Sequence, residues 1–334
     1  MTRPLTTEPQ LARALAAATA REPTVLHVCR ERDVGLFSLV QQAIANVPWA
    51  LREGRVPVAD FRERTCYWTP AGHRGAASVW EYYFEPLVDG FPAAAVPAQV
   101  TAAVERDFPD QNDLGRPVGE RAFVSNHFGD HPALDGAAPR IPYATGNPDP
   151  ALRAWTSAII RSFVRPRAYV ERLAGAFFDE HMSGHDVIGV HVRGTDAVSA
   201  SETREYRQGS LDLGRYEAEL TRLFAERPRA RVLVATDAEA SLEHLAGAFG
   251  ERVVAYDAVR HRDGEPAGQG PTGMIMPAYV AADRDRAAQN GEDAIVEWLL
   301  LSRCRHLVHN GASLATTVLL KEPRMPHTNT HRRA

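Results

Sequence analysis

Between Val187 and Leu320, short apolar runs alternate with stretches whose apolar residues recur at helical spacing. Val187–Val192 reads as a buried strand, Leu213–Glu226 as a helix, Arg231–Ala235 as a strand and Glu239–Phe249 as a helix. Strand Arg252–Tyr256, a long loop to Gly291, helix Glu292–Cys304, strand His306–His309 and helix Ser313–Leu320 complete the series. Strands joined by helical crossovers lie parallel, with helices on both faces of one sheet. The expected class is therefore α/β with a doubly wound sheet. In such sheets ligands bind outside the carboxyl ends of the strands.

The first half repeats the pattern more loosely. Thr24–Val28 reads as a strand, Gly35 as part of a turn, Leu36–Val47 as a helix and Arg55–Asp60 as a second strand. Trp80-Glu81-Tyr82-Tyr83-Phe84-Glu85-Pro86 is dense enough in aromatics to be core. Asp89–Ala151 is rich in Pro, Gly and Asp and reads as loops and short helices. Helical spacing returns over Pro150–Glu180, broken at Arg165-Pro166. Two blocks follow: an N-terminal domain over 1–165 and a C-terminal one over 166–334, expected to face each other across a cleft.

Composition narrows the function. The chain has 334 residues, 44% hydrophobic and 24% charged, which suits two sizeable cores. A net charge of −4 argues against a general binder of nucleic acid or of membrane surfaces. Leu11–Ala20 is interrupted by Arg13 and preceded by Glu8, so it reads as an amphipathic helix. No run approaches the ~18 apolar residues of a membrane span. Cys29, Cys66 and Cys304 lie far apart and form no C-x-x-C, as in a reducing compartment. A cytoplasmic protein is expected.

The chemistry gathers at strand ends. Val187–Asp196 reads V-I-G-V-H-V-R-G-T-D, which places His191, Arg193 and Thr195 at alternate positions as the strand emerges. A forked guanidinium there suits a phosphate or carboxylate, unless Asp196 merely pairs with it. V-L-V-A-T-D brings Thr236 and Asp237 to the same edge, where Asp237 could instead cap the next helix. Glu292 and Asp293 read as first-turn acids of their helix, and Glu297 falls within an apolar run and needs a partner if buried. L-V-H-N-G-A-S-L-A-T-T-V-L-L starts a helix at Ser313, whose hydroxyl and first-turn N–H groups face an anion or serve as a plain cap.

Three other readings fall away. Gly311-Ala312-Ser313-Leu314-Ala315 mimics a nucleophile elbow, but no aspartate follows Ser313. Asp283-Arg284-Asp285 could hold a divalent metal, yet it lies in a stretch read as loop. His127 and His131 have zinc-like spacing only in a helix, which Gly129 and Pro132 oppose, so they read as solvated loop histidines.

H-V-R-G-T-D at His191–Asp196, A-T-D at Ala235–Asp237, L-L-L-S-R-C at Leu299–Cys304 and the strand and turn reaching Ser313 occur in one order. Together they resemble the fucosyltransferase superfamily. The likeness is to the α-1,6-fucosyltransferases, including the nodulation enzymes of rhizobia, and more distantly to the protein O-fucosyltransferases. It covers Ile188–Leu320 and is weaker over Gly35–Ile44 and Arg55–Pro86.

The resemblance implies a GT-B glycosyltransferase of two Rossmann-like domains, inverting and metal-independent, with the nucleotide-sugar held by the C-terminal domain. Arg193 would bind the β-phosphate of GDP with help from Ser313. His191 and Glu297 would contact the guanine base. Thr195, Asp196, Thr236 and Asp237 complete the implied donor site, with Asp237 and Arg193 also counted as catalytic. Glu202 is the candidate base for the acceptor hydroxyl. Two positions depart from the pattern, Gly194 in place of a second arginine and Ala197 in place of a lysine. The expected donor is GDP-fucose or another GDP-sugar, with no cofactor and an acceptor that no motif identifies. A different nucleotide-sugar, or a non-catalytic nucleotide- or sugar-binding protein on the same fold, are the alternatives.

Overall fold

The computed structural model describes residues 4–107, 114–129, 131–141, 147–194, 212–262 and 283–330. It divides into two compact units. One takes the described residues up to Ile141 together with Pro148–Arg167; the other takes Asn147 and the chain from Ala168 onward.

The first unit is built on strands β1 (Leu26–Arg30), β2 (Val56–Asp60), β3 (Gly115–Val118) and β4 (Ala122–Ser125), in the order β2-β1-β4-β3. Strand β1 runs parallel to β2 and to β4, whereas β3 and β4 form an antiparallel pair. Around this sheet stand helices α1 (Glu8–Thr19), α2 (Leu36–Arg52), α3 (Val79–Tyr83), α4 (Ala98–Asp107) and α5 (Pro150–Phe163). Almost every residue of α2 is buried, the pattern of a helix inside a core. Its polar groups are therefore matched to the strands: Gln42 Nε2 donates to the Arg30 carbonyl at 2.5 Å, and Asn46 Nδ2 to the His127 carbonyl at 2.8 Å. Trp80, Tyr82, Tyr83 and Phe84 are all 2% exposed or less, so the aromatic cluster is core as expected.

Two expectations for this unit need correction. The stretch read as loops and short helices holds, besides α4, the β3–β4 strand pair. His127 is buried rather than solvated: its ring stacks on His131 at 3.5 Å between centroids, and its Nε2 lies where a side chain at Gly115 would sit.

The second unit holds strands β5 (Val187–Val192), β6 (Arg231–Thr236), β7 (Val253–Val254), β8 (His306–His309) and β9 (His327–Asn329) in the order β7-β6-β5-β8-β9. All four pairings are parallel. Numbered within the unit, this is the order 3-2-1-4-5 of the doubly wound nucleotide-binding sheet. Its helices are α6 (Ala168–His181), α7 (Leu213–Glu226), α8 (Glu239–Phe249), α9 (Arg284–Leu301) and α10 (Ser313–Lys321). Ile188, Val190, Val192, Val232, Val234 and Val308 pack beneath Tyr216, Leu220 and Leu223 of α7 and Leu245 of α8. Each such aliphatic side chain contributes roughly 1.5–3 kcal/mol by leaving water. Gly189 lets α9 approach β5, since a Cβ there would lie 2.8 Å from Leu301 Cδ2 and 3.1 Å from Cys304 Sγ.

Helices α7 and α8 begin and end where their periodicity places them, but α9 does not. It starts at Arg284, with Asp283 as N-cap accepting from the Asp285 and Arg286 N–H groups at 3.1 Å each. Asp283-Arg284-Asp285 is thus a helix start, with Asp283 spent on backbone N–H groups. Glu292 and Asp293 are then mid-helix and buried, 1% and 2% exposed, rather than first-turn acids.

Candidate functional site

The strand order places the switch point, where successive connections depart in opposite directions, at the carboxyl ends of β5 and β8, the place where ligands bind in such sheets. Pairing sets the neighbours: His191 lies opposite Ala235 on β6 and His309 on β8. Arg193 therefore emerges beside Asp237, and its Nη1 sits 3.2 Å from Asp237 Oδ2. The other carboxylate oxygen accepts the Gly194 N–H at 2.7 Å. Asp237 does not cap α8, whose N-cap is Ala238. The carboxylate fixes both the guanidinium and the backbone that follows it. Thr236 is buried, and its hydroxyl accepts the Ala238 N–H at 3.3 Å.

His191 is 5% exposed and carries its Nδ1 buried without a hydrogen-bond partner, while its carbonyl accepts from the Tyr216 hydroxyl at 3.1 Å. Burial and the neighbouring Arg193 push its pKa down to about 3, so the ring is neutral.

From β8, Asn310 Nδ2 donates to the Arg193 carbonyl at 3.2 Å, and Asn310 Oδ1 is buried and unpartnered. Gly311 has φ +84°, the left-handed backbone that lets the chain turn into α10. Its N–H donates to His309 Nδ1 at 3.0 Å, so His309 carries its proton on Nε2 and donates to His327 Nδ1 at 3.0 Å. Ser313 is the first residue of α10, not its cap, which is Ala312 with no side-chain hydrogen bond. The first-turn N–H groups of α10 open onto the same edge as Arg193.

Glu297, on α9, is 6% exposed, with Oε1 buried, unpartnered and 3.9 Å from Arg260 Nη2. Burial, outweighing Arg260, raises its pKa to about 8. Thr195, Asp196 and Glu202 lie outside the described residues. The strands and turns thus gather His191, Arg193, Thr236, Asp237 and Ser313 at one sheet edge, and Asp237 acts electrostatically on Glu297. Sequence reasoning missed Asn310 and Arg260. Asn310 was available as the polar residue ending a strand; Arg260 carried no periodic signal.

A second strand-end cluster occupies the first unit. Arg30, 2% exposed, pairs with Asp60 at 2.9 Å and Glu31 at 3.3 Å, and Arg62 Nε reaches Asp60 at 2.9 Å. Burial raises the pKa of Glu31. Among the described residues no group of three or more His, Cys, Asp or Glu side chains is placed to hold a metal ion.

No protein-family model matches the chain, and no curated protein matches it in sequence. Solved structures do match. NodZ α-1,6-fucosyltransferase soaked with GDP-fucose is similar with a TM-score of 0.51 at 18% identity, over 89% of this chain and 92% of that one. NodZ from Bradyrhizobium gives 0.50 at 19%, over 88% and 91%. POFUT1 in complex with GDP gives 0.53 at 12%, over 93% and 99%. The resemblance carried by the four motifs is thus borne out at the level of fold: the chain has the fold shared by the NodZ fucosyltransferase and POFUT1.

Proposed function

We propose that this chain is a GT-B-type glycosyltransferase that moves a sugar, fucose in the first instance, from a GDP-sugar to an acceptor hydroxyl. The observation that carries the reading is the switch-point arrangement. Arg193, aimed by Asp237, stands beside the start of α10, with His191 Nδ1 and Asn310 Oδ1 buried and unpartnered next to it. Orphaned polar atoms at a strand end are what a bound ligand would satisfy. GDP-fucose is the ligand soaked into NodZ and GDP the one bound in POFUT1.

In this reading the second unit is the donor domain and the first the acceptor domain. The acceptor oxygen attacks the anomeric carbon as the bond from that carbon to the β-phosphate oxygen breaks. The hydroxyl proton passes to a base, for which Glu202 is the candidate, and the configuration inverts. Charge growing on the departing diphosphate meets Arg193 and the N–H groups of α10, which serve where a metal ion would otherwise be needed. His191 and Glu297 contact the base; Thr236, Ser313 and, beyond the described residues, Thr195 and Asp196 complete the donor set. Three buried free thiols support a reducing, cytoplasmic setting.

Calorimetry with GDP, UDP and dTDP, with and without EDTA, tests the donor. GDP binding that survives EDTA supports it; no GDP binding, or binding only with metal, overturns it. Acceptor-independent hydrolysis of GDP-fucose, lost in Arg193→Ala and Glu202→Ala, separates an enzyme from a binding protein.

One observation favours a donor sugar other than fucose. A Cβ at Gly194 would stand 2.7 Å from Ala238 Cβ and 3.2 Å from Ser241 Oγ. The position where α-1,6-fucosyltransferases place a second arginine is closed here by α8. GDP-sugars other than GDP-fucose belong in the same assay.

A further inference from the structure

Glu297 is short of partners. An ionised carboxylate offers about four acceptor sites, and the Oε1 of Glu297 is buried with no hydrogen-bond partner among the described residues. Arg260, its counter-ion at 3.9 Å, gives two N–H groups to carbonyls, Nη2 to that of Tyr256 at 2.5 Å and Nη1 to that of Ala258 at 3.3 Å, and its Nε is buried without a partner among the described residues. Arg260 is in turn 8% exposed, so neither group relaxes into water.

The other groups acting on Glu297 are acids. Asp293 lies one turn earlier on α9, fixed by the Val259 N–H at 2.8 Å and by Gln289 Nε2 at 2.8 Å. Asp237 adds its charge from the end of β6. Tyr256 stands in the field of the same acids, Glu292 included, and stays neutral, pushed up to about 12. On the other faces of α9, Lys321 of α10 lies over the Trp298 ring at 5.8 Å, and Phe177 of α6 packs against Tyr256 at 5.7 Å. Burial, with one cation shared with two carbonyls set against two nearby carboxylates, leaves Glu297 as a neutral carboxylic acid at neutral pH.

Guanine presents two adjacent donors, N1–H and the 2-amino group, along its pairing edge. A carboxylate complements them; a carboxylic acid sets its own O–H against one of them. We infer that docking of the guanine base expels the proton of Glu297 to solvent, so that pH gates donor binding, and that Arg260 is the positioning residue that sets the pH at which the gate opens. The inference rests on the GDP-sugar reading of the site. The bookkeeping is simple: Glu297 loses one proton, its carboxylate accepts two hydrogen bonds from the base, and no covalent bond changes. Arg260, though bonded to carbonyls, supplies the attraction that keeps the ionised form within reach.

The test is calorimetry on the full chain with GDP-fucose, whose doubly esterified diphosphate does not titrate near neutrality. Measurements run from about pH 6 to about pH 8.5 in buffers of different ionisation enthalpy. Below the Glu297 pKa, close to one proton should be released per donor bound, and affinity should fall by about tenfold per pH unit. Glu297→Gln, the isosteric neutral variant, should bind more weakly, with neither proton release nor pH dependence. Arg260→Gln should displace the affinity profile to higher pH. Wild-type binding with constant affinity and no proton release overturns the gate and leaves the donor reading intact. Proton release that persists in Glu297→Gln assigns the proton elsewhere and also overturns it. Failure of both GDP and GDP-fucose to bind at any pH removes the donor reading, and the gate with it.

Discussion

Arg193 and Asp237 form one unit: the carboxylate takes the guanidinium at 3.2 Å and, through its second oxygen, the next backbone N–H at 2.7 Å. The arginine is aimed before any ligand arrives. Such preorganisation means that ligand binding does not have to pay for ordering it.

Separating aim from charge is therefore possible. Arg193→Ala removes the cation and should weaken GDP binding by about 1.5–3 kcal/mol, the range for hydrogen bonds to charged groups. Asp237→Asn keeps the shape and leaves Arg193 its charge but loosens its aim. It should cost GDP affinity less than Arg193→Ala while lowering the rate of donor hydrolysis more than it lowers affinity. Equal losses in both variants and both assays would contradict the division of labour.

Gly194 is a packing position. Gly194→Ala places a Cβ 2.7 Å from Ala238 Cβ, and overpacking of that kind costs about 1–3 kcal/mol. Denaturant melts of Gly194→Ala, Ala238→Gly and the double variant should show a favourable coupling, with Ala238→Gly recovering most of the loss. Additive effects would show that the contact is not the cause.

Two buried histidines contribute stability that is lost in mild acid. His27 is fully buried with Nε2 on Asn46 Oδ1 at 3.1 Å, and its pKa is lowered to about 3 by burial, as is that of His191. The folded values lie below the unfolded one near 6.5, so the unfolded chain binds more protons between these limits. The histidine contribution is full above about pH 6.5 and declines as pH falls toward 3, by roughly 1.4 kcal/mol per unit for each histidine. Glu297 and Asp293, buried with values raised to about 8 and about 6, contribute with the opposite sign. The difference in unfolding free energy between wild type and His27→Gln, from urea melts between pH 7 and pH 4, should shrink by about 1.4 kcal/mol per unit below pH 6.5. A difference that stays constant with pH would rule His27 out as a source.

Much of the second unit was legible because its strands are continuous apolar runs and its helices are amphipathic. Strand β9 was not: His327-Thr328-Asn329 has no apolar pattern and joins the sheet through β8, with His306 Nε2 3.0 Å from the Thr328 hydroxyl. The start of α9 was hidden for a different reason. Arg284–Asn290 is polar except for Ala287 and Ala288, both fully buried, and Gly291 imitated a turn. In the first unit β3 reads Gly-Arg-Pro-Val, an exposed edge strand that propensity disfavours. At the site, residue types at strand ends were readable. Their mutual bonds were not: Asp237, read as a strand-end site residue or else a cap, is the anchor of Arg193, and Arg260 reached Glu297 from an irregular segment.

The turn into α10 depends on one backbone conformation. Gly311→Ala, at φ +84°, should destabilise by about 1–2 kcal/mol through strain. It should also weaken nucleotide binding by tilting the helix start. Unchanged GDP affinity in a folded Gly311→Ala protein would separate the turn from the site.

The closed space at position 194 also constrains ancestry and engineering. A second arginine gained in one step would meet Ala238 Cβ, on another element, and lose stability. Shrinking Ala238 first would remove the tightest of these contacts; adding the arginine first would cost stability. The order in which two substitutions arise, rather than their sum, decides whether this strand end can pass from one guanidinium to two.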